Sequence, residues 1–427
     1  MAIEGLSRQN IRQAIGRNLM GAAYIVSTTT TVGADALSII DTNLFGGNDV
    51  YNGWWVYVPA AGTNAGESSR VYDTIIDTPV SGDRQLDVRP SFTTTVPLAM
   101  PYELWKPEFN PVFANEAINL AINSVTGRYY TRADSLALHA DGYSTRFTIP
   151  STFDMIDRVL YRTRVDGEEL ESCDTAWAES VDADFTITAD TEHHKRGNAS
   201  CKFVIAGTVS DGDFSSVAIS SKNLSAKTHV EMWVYATTAL AAADLAMLMD
   251  DTASCASPVE TITFPAVAAR TWTHVRLALA NPELDTAIIS LGLEYNANSA
   301  ANNIWIDDIQ AVNEANSVYS PLHKNLWGLN RAQQEIMLSD AGRQAAGYSL
   351  LKLEGGTNPA QLSLDATTST LDEDFVIAQA TATMLRGGSM STAADSMGYR
   401  TLSDRWQLIA DRVRRRFDAL VNVRRAS

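Results

Sequence analysis

The stretch Thr-His-Val-Glu-Met-Trp-Val-Tyr at residues 228–235 decides how the middle of this 427-residue chain is interpreted. Val230, Met232 and Val234 alternate with residues that carry polar atoms. A period of two places one set of side chains on each face of a strand. The stretch therefore predicts a strand with one face in a core and the other face toward solvent.

Further segments around this strand have the length and composition of strands, and Gly, Asn, Asp and Ser fill the gaps between them. Together with residues 229–235, the predicted strands are 185–188, 200–206, 215–220, 246–249, 260–264, 271–279, 287–294 and 304–311. No helical stripe competes with them in this region. Short strands at this spacing predict an all-β sandwich.

The same region has its own charge. Between Asp166 and Ala315 there are 23 acidic and 7 basic residues, a net charge of −16, while the whole chain has −17. All three cysteines lie here without a CxxC pair, which predicts reduced, buried thiols and neither a disulfide framework nor a zinc site. The abrupt change in charge indicates a domain boundary at each end.

Helices are predicted on both sides of this acidic block. Ser7 is a favoured N-cap, and Leu6 can pack on Ile11 as a hydrophobic staple. Asn110 and Pro111 begin the clearest helix of the first half, because both residues are favoured at a helix start. The other flanking elements are predicted strands at 54–58, 70–77, 85–89, 146–150, 158–165, 334–338 and 348–353, and a helix at 371–386.

The expected fold class is therefore α+β. A discontinuous host domain of helices and a small antiparallel β unit would be interrupted by an all-β sandwich. The expected limits are 1–165 for the first part of the host domain, 166–315 for the inserted sandwich, 316–386 for the second part of the host domain, and 387–427 for a linker and a basic amphipathic helix.

The last predicted helix combines an apolar stripe with a basic face. From Arg400 onward there are eight Arg and three Asp, a net charge of +5. The basic face has three interpretations: an ordinary solvated face, a docking surface for an acidic partner, or the lining of a passage for nucleic acid with nonspecific phosphate contacts. We expect docking. The candidate partner-binding residues are Leu402, Trp406, Ile409, Arg412, Val413, Arg414, Arg415, Arg416, Phe417, Leu420, Arg424 and Arg425.

Signatures of catalysis are missing from the sequence. It has no phosphate-binding glycine loop, no HExxH motif, no nucleophile elbow and no dinucleotide-binding fingerprint. We therefore expect no enzyme activity and no cofactor, apart from the structural ion considered next. No apolar run approaches the roughly 20 residues of a membrane helix, so no membrane partner is expected.

Asp307 and Asp308 lie inside a predicted strand, so one of the two carboxylates must face the core side. An unpaired charge there costs free energy. A structural calcium ion would remove that cost through oxygen ligands, and so would hydrogen bonding or an edge position. Aromatic side chains of the block can stack on sugar rings or pack in the core. The candidate glycan-binding residues are Trp177, Tyr295 and Trp305.

The block at 166–315 resembles the jelly roll of carbohydrate-binding modules. The resemblance is carried by residues 196–200, 230–235 and 271–275, and by the closing Ile-Trp-Ile-Asp-Asp-Ile at 304–309. It implies a jelly-roll fold in which one closing-strand aspartate, Asp307 or Asp308, is often a calcium ligand.

The flanking regions resemble head–tail connector (neck or adaptor) proteins of tailed bacteriophages. The carriers are the opening helix at Leu6, the strand at 54–56, the helix at 108–125, the strand at 147–150 and the two late helices. The resemblance implies a homo-oligomeric ring, typically twelvefold, between the portal protein and the next tail or nozzle protein. Double-stranded DNA would pass nonspecifically through its centre.

We therefore expect a structural virion protein of the neck, assembled in the host cytoplasm. The jelly roll would project outward and meet capsid, fibre or glycan. The alternative is a carbohydrate-binding tail or surface protein used in host adsorption. A glycan-active enzyme is a third class, which no acid pair of the sequence favours.

Overall fold

The computed structural model describes residues 6–33, 35–59, 64–75, 84–297, 300–388 and 396–425; for residues 388, 396 and 416–425 it describes the backbone alone. Among the described residues, strands contain roughly twice as many residues as helices. The chain divides into two compact units. The first unit comprises residues 1–132 and 356–427, and the second unit comprises residues 133–355.

The elements follow one another in this order. Up to residue 123 they are α1 (Arg8–Met20), β1 (Ile25–Thr28), β2 (Ser38–Ile40), β3 (Trp55–Tyr57), β4 (Ser68–Ile75), β5 (Gln85–Arg89), β6 (Pro101–Trp105) and α2 (Pro111–Asn123). Next come β7 (Thr131–His139), β8 (Arg146–Thr148), β9 (Met155–Glu171), β10 (Phe185–Asp190), β11 (Ser200–Ile205), β12 (Asp213–Lys222), β13 (His229–Ala236), β14 (Leu245–Asp250), β15 (Glu260–Thr263), β16 (Thr273–Ala278), β17 (Ile288–Tyr295) and β18 (Asn302–Pro321). The last are β19 (Trp327–Asn330), β20 (Glu335–Leu338), α3 (Asp340–Ala346), β21 (Leu350–Thr357), α4 (Glu373–Gly388) and α5 (Ser396–Arg425).

The first unit is built on a six-stranded antiparallel sheet in the order β1-β6-β3-β4-β5-β2. Val56, Leu86 and Tyr102 form part of the core on one face. Trp105 belongs to a second core, which it shares with residues of α1, α2, α4 and α5. The two predicted helix starts are confirmed, since Ser7 caps α1 and Asn110 caps α2.

A buried ion network lies inside the first unit. The Arg12 side chain is fully buried and its guanidinium donates to Glu103 Oε1 at 2.9 Å and to Asp365 Oδ1 at 2.8 Å. Arg8 also pairs with Asp365 at 2.9 Å. Since Arg12 comes from the start of the chain and Asp365 from its last quarter, the network ties together the two chain segments that make this unit.

The second unit contains a two-sheet antiparallel sandwich. One sheet is continuous through β10, β11, β18, β13 and β16, and the other has the order β12-β17-β14-β15. The inner faces meet in one core, to which Met232, Val234, Met247, Leu291 and Ile306 contribute. All nine strands predicted between residues 185 and 311 are confirmed, because each overlaps one of β10 to β18.

The predicted α+β fold class is wrong, because the protein is mostly β and is not an α+β host domain with an inserted sandwich. The physical reason lies in β9 and β18, which run across the expected junctions at 165/166 and 315/316, with a shift in their pairing register between Asn313 and Val318. Gly167 pairs with Val312 inside the expected insert, and Leu160 pairs with Pro321 outside it. The flanks therefore continue the sheet of the sandwich.

One further expectation is met by a single observation. The three cysteines are free and buried, as their spacing predicted. Within the described part of the chain, no helix is long and apolar enough to cross a membrane.

Candidate ligand-binding face

The candidate site lies on the outer face of the sandwich sheet that contains β13. Along β13, Val230, Met232 and Val234 enter the core. Strand alternation therefore sends Trp233 and Tyr235 to the opposite face. This is the two-faced strand that residues 228–235 predicted.

A row of four side chains crosses this face, and we call it the aromatic row: Lys202, Trp305, Tyr235 and Trp272. Trp305 of β18 pairs with Lys202 of β11 on one side and with Tyr235 of β13 on the other. The ring of Trp272, one residue before β16, lies 5.6 Å from that of Tyr235, at an interplanar angle of 50°. Trp305 lies 5.1 Å from Tyr235 at 84°. The rings thus form a continuous cluster whose faces point in different directions.

Polar groups border the aromatic row at Trp305. Its Nε1 donates to Asp190 Oδ2 at 2.8 Å, and Lys202 Nζ lies 4.9 Å from its ring centroid. The His193 ring is 5.5 Å away. Trp305 is consequently only 5% exposed, whereas Tyr235 and Trp272 are half-buried. The accessible aromatic surface of the row is therefore that of Tyr235 and Trp272.

A second aromatic group surrounds a cavity of about 210 Å³ on the same face. Its lining includes Trp233, His139, His274, Glu231 and Arg162. The two imidazole rings lie 4.0 Å apart and are tilted by 30°. Burial lowers the pKa of His139 to about 4 and holds that of His274 well below its usual range, so both rings are neutral near pH 7.

Two aspartates hold the loop that carries Lys195 over this cavity's tryptophan. Asp307 Oδ2 accepts from the backbone N–H groups of Lys195 at 2.5 Å and Arg196 at 2.9 Å. Asp174 Oδ1 accepts from Asn198 N at 2.6 Å. Lys195 Nζ then lies 4.9 Å from the Trp233 ring centroid, and it forms an ion pair with Asp141 at 3.0 Å. The loop is thus fixed in place beside the aromatic residues.

The two candidate calcium ligands have different surroundings. Asp307 is fully buried, and its Oδ1 has no hydrogen-bond partner among the described residues. Asp308 instead pairs with Arg196 at 2.7 Å and accepts from Gln310 Nε2 at 2.7 Å. An orphaned carboxylate oxygen fits a hard cation, which takes oxygen ligands. The geometry therefore favours Asp307 as the ligand, and the calcium ion itself stays a prediction.

The other predicted site residues are spread over the molecule. Trp177 and Tyr295 are 1% exposed and lie in the sandwich core, where no ring face is open to a ligand. On α5, Val413 is buried and Trp406 half-buried, while Leu402 and Ile409 are 44% and 42% exposed. Arg412 and Arg415 are exposed and Arg414 is half-buried. The predicted side chains of Arg416, Phe417, Leu420, Arg424 and Arg425 lie outside the described residues.

Sequence reasoning missed Tyr235 and Trp272 as site residues. Residue type did not distinguish these two from the other aromatic residues of the block, and the pattern of a single strand does not show which rings of neighbouring strands lie side by side. The cross-strand register brings Tyr235 and Trp272 together, and this register is known only once the pairing of the strands is known.

No protein-family model matches the chain, and no curated protein matches it. Among solved structures it is similar to a family 30 carbohydrate-binding module, with 13% identity over 37% of this chain and 93% of that one, at a TM-score of 0.27. It is also similar to the family 11 carbohydrate-binding module from Clostridium thermocellum in complex with a β-1,3-1,4-mixed-linked tetrasaccharide, with 8% identity over 40% and 97% of the chains, at a TM-score of 0.23.

A third similar structure is the N-terminal endo-1,4-β-D-xylanase 10B of Clostridium thermocellum, comprising its CBM22-1 and GH10 modules, complexed with xylohexaose. The identity is 19% over 38% of this chain and 30% of that chain, and the TM-score is 0.23. Since all these TM-scores are below 0.5, no functional conclusion rests on them. The resemblance to head–tail connectors is not supported by these comparisons.

Proposed function

We propose that the second unit binds a glycan chain on the outer face of its sandwich, with Tyr235 and Trp272 as the stacking residues. The observation that carries the proposal is the aromatic row, in which three rings form one cluster on a face turned away from the core. Trp and Tyr are suited to such a position, because each offers a large apolar surface together with a polar atom that stays hydrated.

The polar neighbours complete the chemistry of a sugar site. A sugar ring presents apolar C–H faces and a rim of hydroxyl groups that donate and accept hydrogen bonds. Asp190 supplies acceptor oxygens and Lys202 supplies donors beside Trp305. Because the ring planes of the row differ by 50° and 84°, the row suits a single twisted chain in solution better than a flat crystalline surface.

The proposal is tested by binding of the full chain to cellohexaose, mannohexaose, xylohexaose and mixed-linkage β-glucan, followed by isothermal titration calorimetry. We expect Trp272→Ala and Tyr235→Ala each to weaken binding about tenfold or more, which corresponds to roughly 1.4 kcal/mol. Tyr72→Ala is the matched control, because Tyr72 is an exposed aromatic residue of the first unit. Failure of every glycan to bind, or unchanged binding by both variants, would contradict the proposal.

The proposed role is binding without catalysis. In the cavity beside the row, the Glu231 carboxylate is engaged by Arg162 and Arg276, so it is not placed as a free acid or base. We expect no release of reducing sugar when the full chain is incubated with a glycan that it binds. Steady release that Glu231→Gln abolishes would replace the binding role with a hydrolytic one.

A ring-forming neck protein of a virion is the second candidate. It is favoured by the exposed apolar side chains Leu402, Leu408 and Ile409 on α5, which lie beside arginines of the same helix. Such a face would dock a second copy of this chain or a portal protein. Light scattering of the purified chain tests it: we expect a closed oligomer that dissociates on Ile409→Asp, whereas a monomer at all concentrations would count against the ring.

A further inference from the structure

Asp285 carries a buried carboxyl group that no N–H or hydroxyl donor of the described residues contacts. Its side chain is 0% exposed, and neither Oδ1 nor Oδ2 accepts from an N–H or hydroxyl donor among the described residues. The residue follows the 3₁₀ turn Pro282–Leu284 between β16 and β17. Its backbone is fixed on both sides, because its N–H donates to Pro282 O at 3.1 Å and its carbonyl accepts from Leu224 N at 2.7 Å. The backbone at Asp285 is therefore held in place on both sides.

The neighbour of Asp285 is a second buried carboxylate, Glu260, the first residue of β15. Its oxygens accept from the backbone N–H groups of Ala280 at 3.1 Å and Asn281 at 2.6 Å. Burial raises the pKa of Asp285 to about 7, and the negative charge of Glu260, the hydrogen bond between the two carboxyl groups and the negative charge of Glu283 act in the same direction. Two buried carboxylates without a balancing positive charge are expensive in free energy.

We propose that Asp285 and Glu260 hold a divalent hard cation of the calcium type. The two side chains offer only oxygen atoms, which are the ligands that calcium prefers. Zinc and copper are better served by imidazole or thiolate ligands. Calcium takes about 6 to 8 oxygen ligands and tolerates irregular geometry. Backbone carbonyl oxygens and water would supply the remaining ligands.

The competing explanation is a proton shared between Asp285 and Glu260. It provides partners for fewer of the carboxyl oxygens than a cation would. One proton between the two carboxyl groups gives a hydrogen bond to a single oxygen of Asp285. The other oxygen of Asp285 stays without a donor among the described residues, and the remaining negative charge is stabilised by the backbone N–H groups of Ala280 and Asn281 alone. A divalent cation engages both oxygens of Asp285 and cancels both charges. It would also tie the connection between β16 and β17 to β15, which lies at the edge of its sheet.

The test is calcium titration of the full chain by isothermal titration calorimetry, after treatment with a chelator and at pH 8, where protons compete little. The parent protein for the comparison carries Asp307→Asn, so that any calcium held by Asp307 is excluded. We expect this parent to bind one calcium ion, and the further change Asp285→Asn to abolish that binding. Asp251→Asn is the matched control, because it removes an exposed carboxylate of the same sandwich.

The outcomes separate the two explanations. Calcium should raise the melting temperature of the parent and leave that of the Asp285→Asn protein unchanged. If Asp307→Asn prevents folding, the unsubstituted chain should bind one calcium ion more than Asp285→Asn does. The proposal is overturned if Asp285→Asn leaves the stoichiometry unchanged. It is equally overturned if calcium leaves the parent's melting temperature unchanged while Asp285→Asn raises it in chelator, since a shared proton then explains the pair.

Discussion

Glu231 of β13 receives both arms of the Arg162 guanidinium from β9, at 2.9 Å and 2.7 Å. Both side chains are buried, with 4% and 9% of their surface exposed. Arg276 adds a third bond to Glu231 at 2.8 Å and reaches Glu314 at 2.9 Å. These contacts hold the pKa of Glu231 below its usual value. The pair thereby links β9 to the strand that carries Trp233 and Tyr235.

Replacing Arg162 should destabilise the second unit. Arg162→Met leaves the Glu231 carboxylate buried with one cation fewer, and removing one partner of a buried pair costs about 3–5 kcal/mol. Urea unfolding followed by tryptophan fluorescence measures the loss. Arg158→Met, on the same strand, removes only a surface pair with Asp157 at 3.7 Å and should cost less than about 1 kcal/mol. Equal losses for the two variants would contradict the role of the buried pair.

The stability of the second unit should fall as the pH is lowered from about 6.5 to 4. The pKa of His139 is about 4 in the folded protein, against 6.5 as its ordinary value, so the unfolded chain binds the proton first. The contribution of neutral His139 to the free energy of unfolding is therefore fully present above pH 6.5 and is lost progressively as the pH falls toward 4. The effect of His139 is roughly 3 kcal/mol at most, and the lowered pKa of His274 acts in the same direction.

Calorimetric melting between pH 7.5 and 4 checks this dependence. We expect His139→Phe to make the profile less steep over that range, because the proton uptake by the unfolded chain at this position is then removed while that at His274 remains. A profile that is as steep in the variant as in the unsubstituted chain would assign the acid sensitivity to other groups.

Calcium binding at Asp307 should distinguish the two neighbouring aspartates. We expect Asp307→Asn to lower the number of bound calcium ions by one, because its buried Oδ1 is otherwise unpartnered among the described residues. Asp308→Asn should leave that number unchanged, since Asp308 is already paired with Arg196. Calorimetric titration of both variants measures the difference, and the reverse order of effects would assign the ion to Asp308.

The ion network of the first unit should control its stability. Arg12→Met removes the guanidinium that Glu103 and Asp365 share, and we expect a loss of about 3–5 kcal/mol in the free energy of unfolding. Arg17→Met is the matched control, because Arg17 lies on the same helix and is exposed. Guanidinium unfolding of both variants measures the two losses, and a loss below about 1 kcal/mol for Arg12→Met would show that the network is dispensable.

The strands of the sandwich were accessible from sequence because their apolar residues alternate. Val230, Met232 and Val234 predicted the buried face of β13 without any knowledge of its neighbours. Helix starts at Ser7 and Asn110 were accessible for a similar reason, since a cap is a local device.

The fold class could not be predicted from the sequence. Strands were predicted from alternating apolar residues, and β9 and β18 carry polar residues on both faces where they cross the expected junctions. The strand predicted at 158–165 ended at the expected junction, because no local signal shows that β9 continues to Glu171 or that Arg162 pairs with the distant Glu231. The prediction of the glycan-binding residues was incomplete for a related reason. Trp177 and Tyr295 could not be distinguished from Trp272 by residue type, because burial depends on which sheet each strand joins.

The pairing of β9 with β18 has a mechanical consequence. The chain enters the sandwich through one of these strands and leaves through the other, and the two are antiparallel neighbours joined from Leu160 with Pro321 to Glu171 with Ile309. Tension applied at Met155 and Pro321 would load the ladder from one end, so the cross-strand bonds would break one after another, as in a zipper. The sandwich should therefore open at low force when pulled through these two strands, and resist more strongly when the same force shears it along their length.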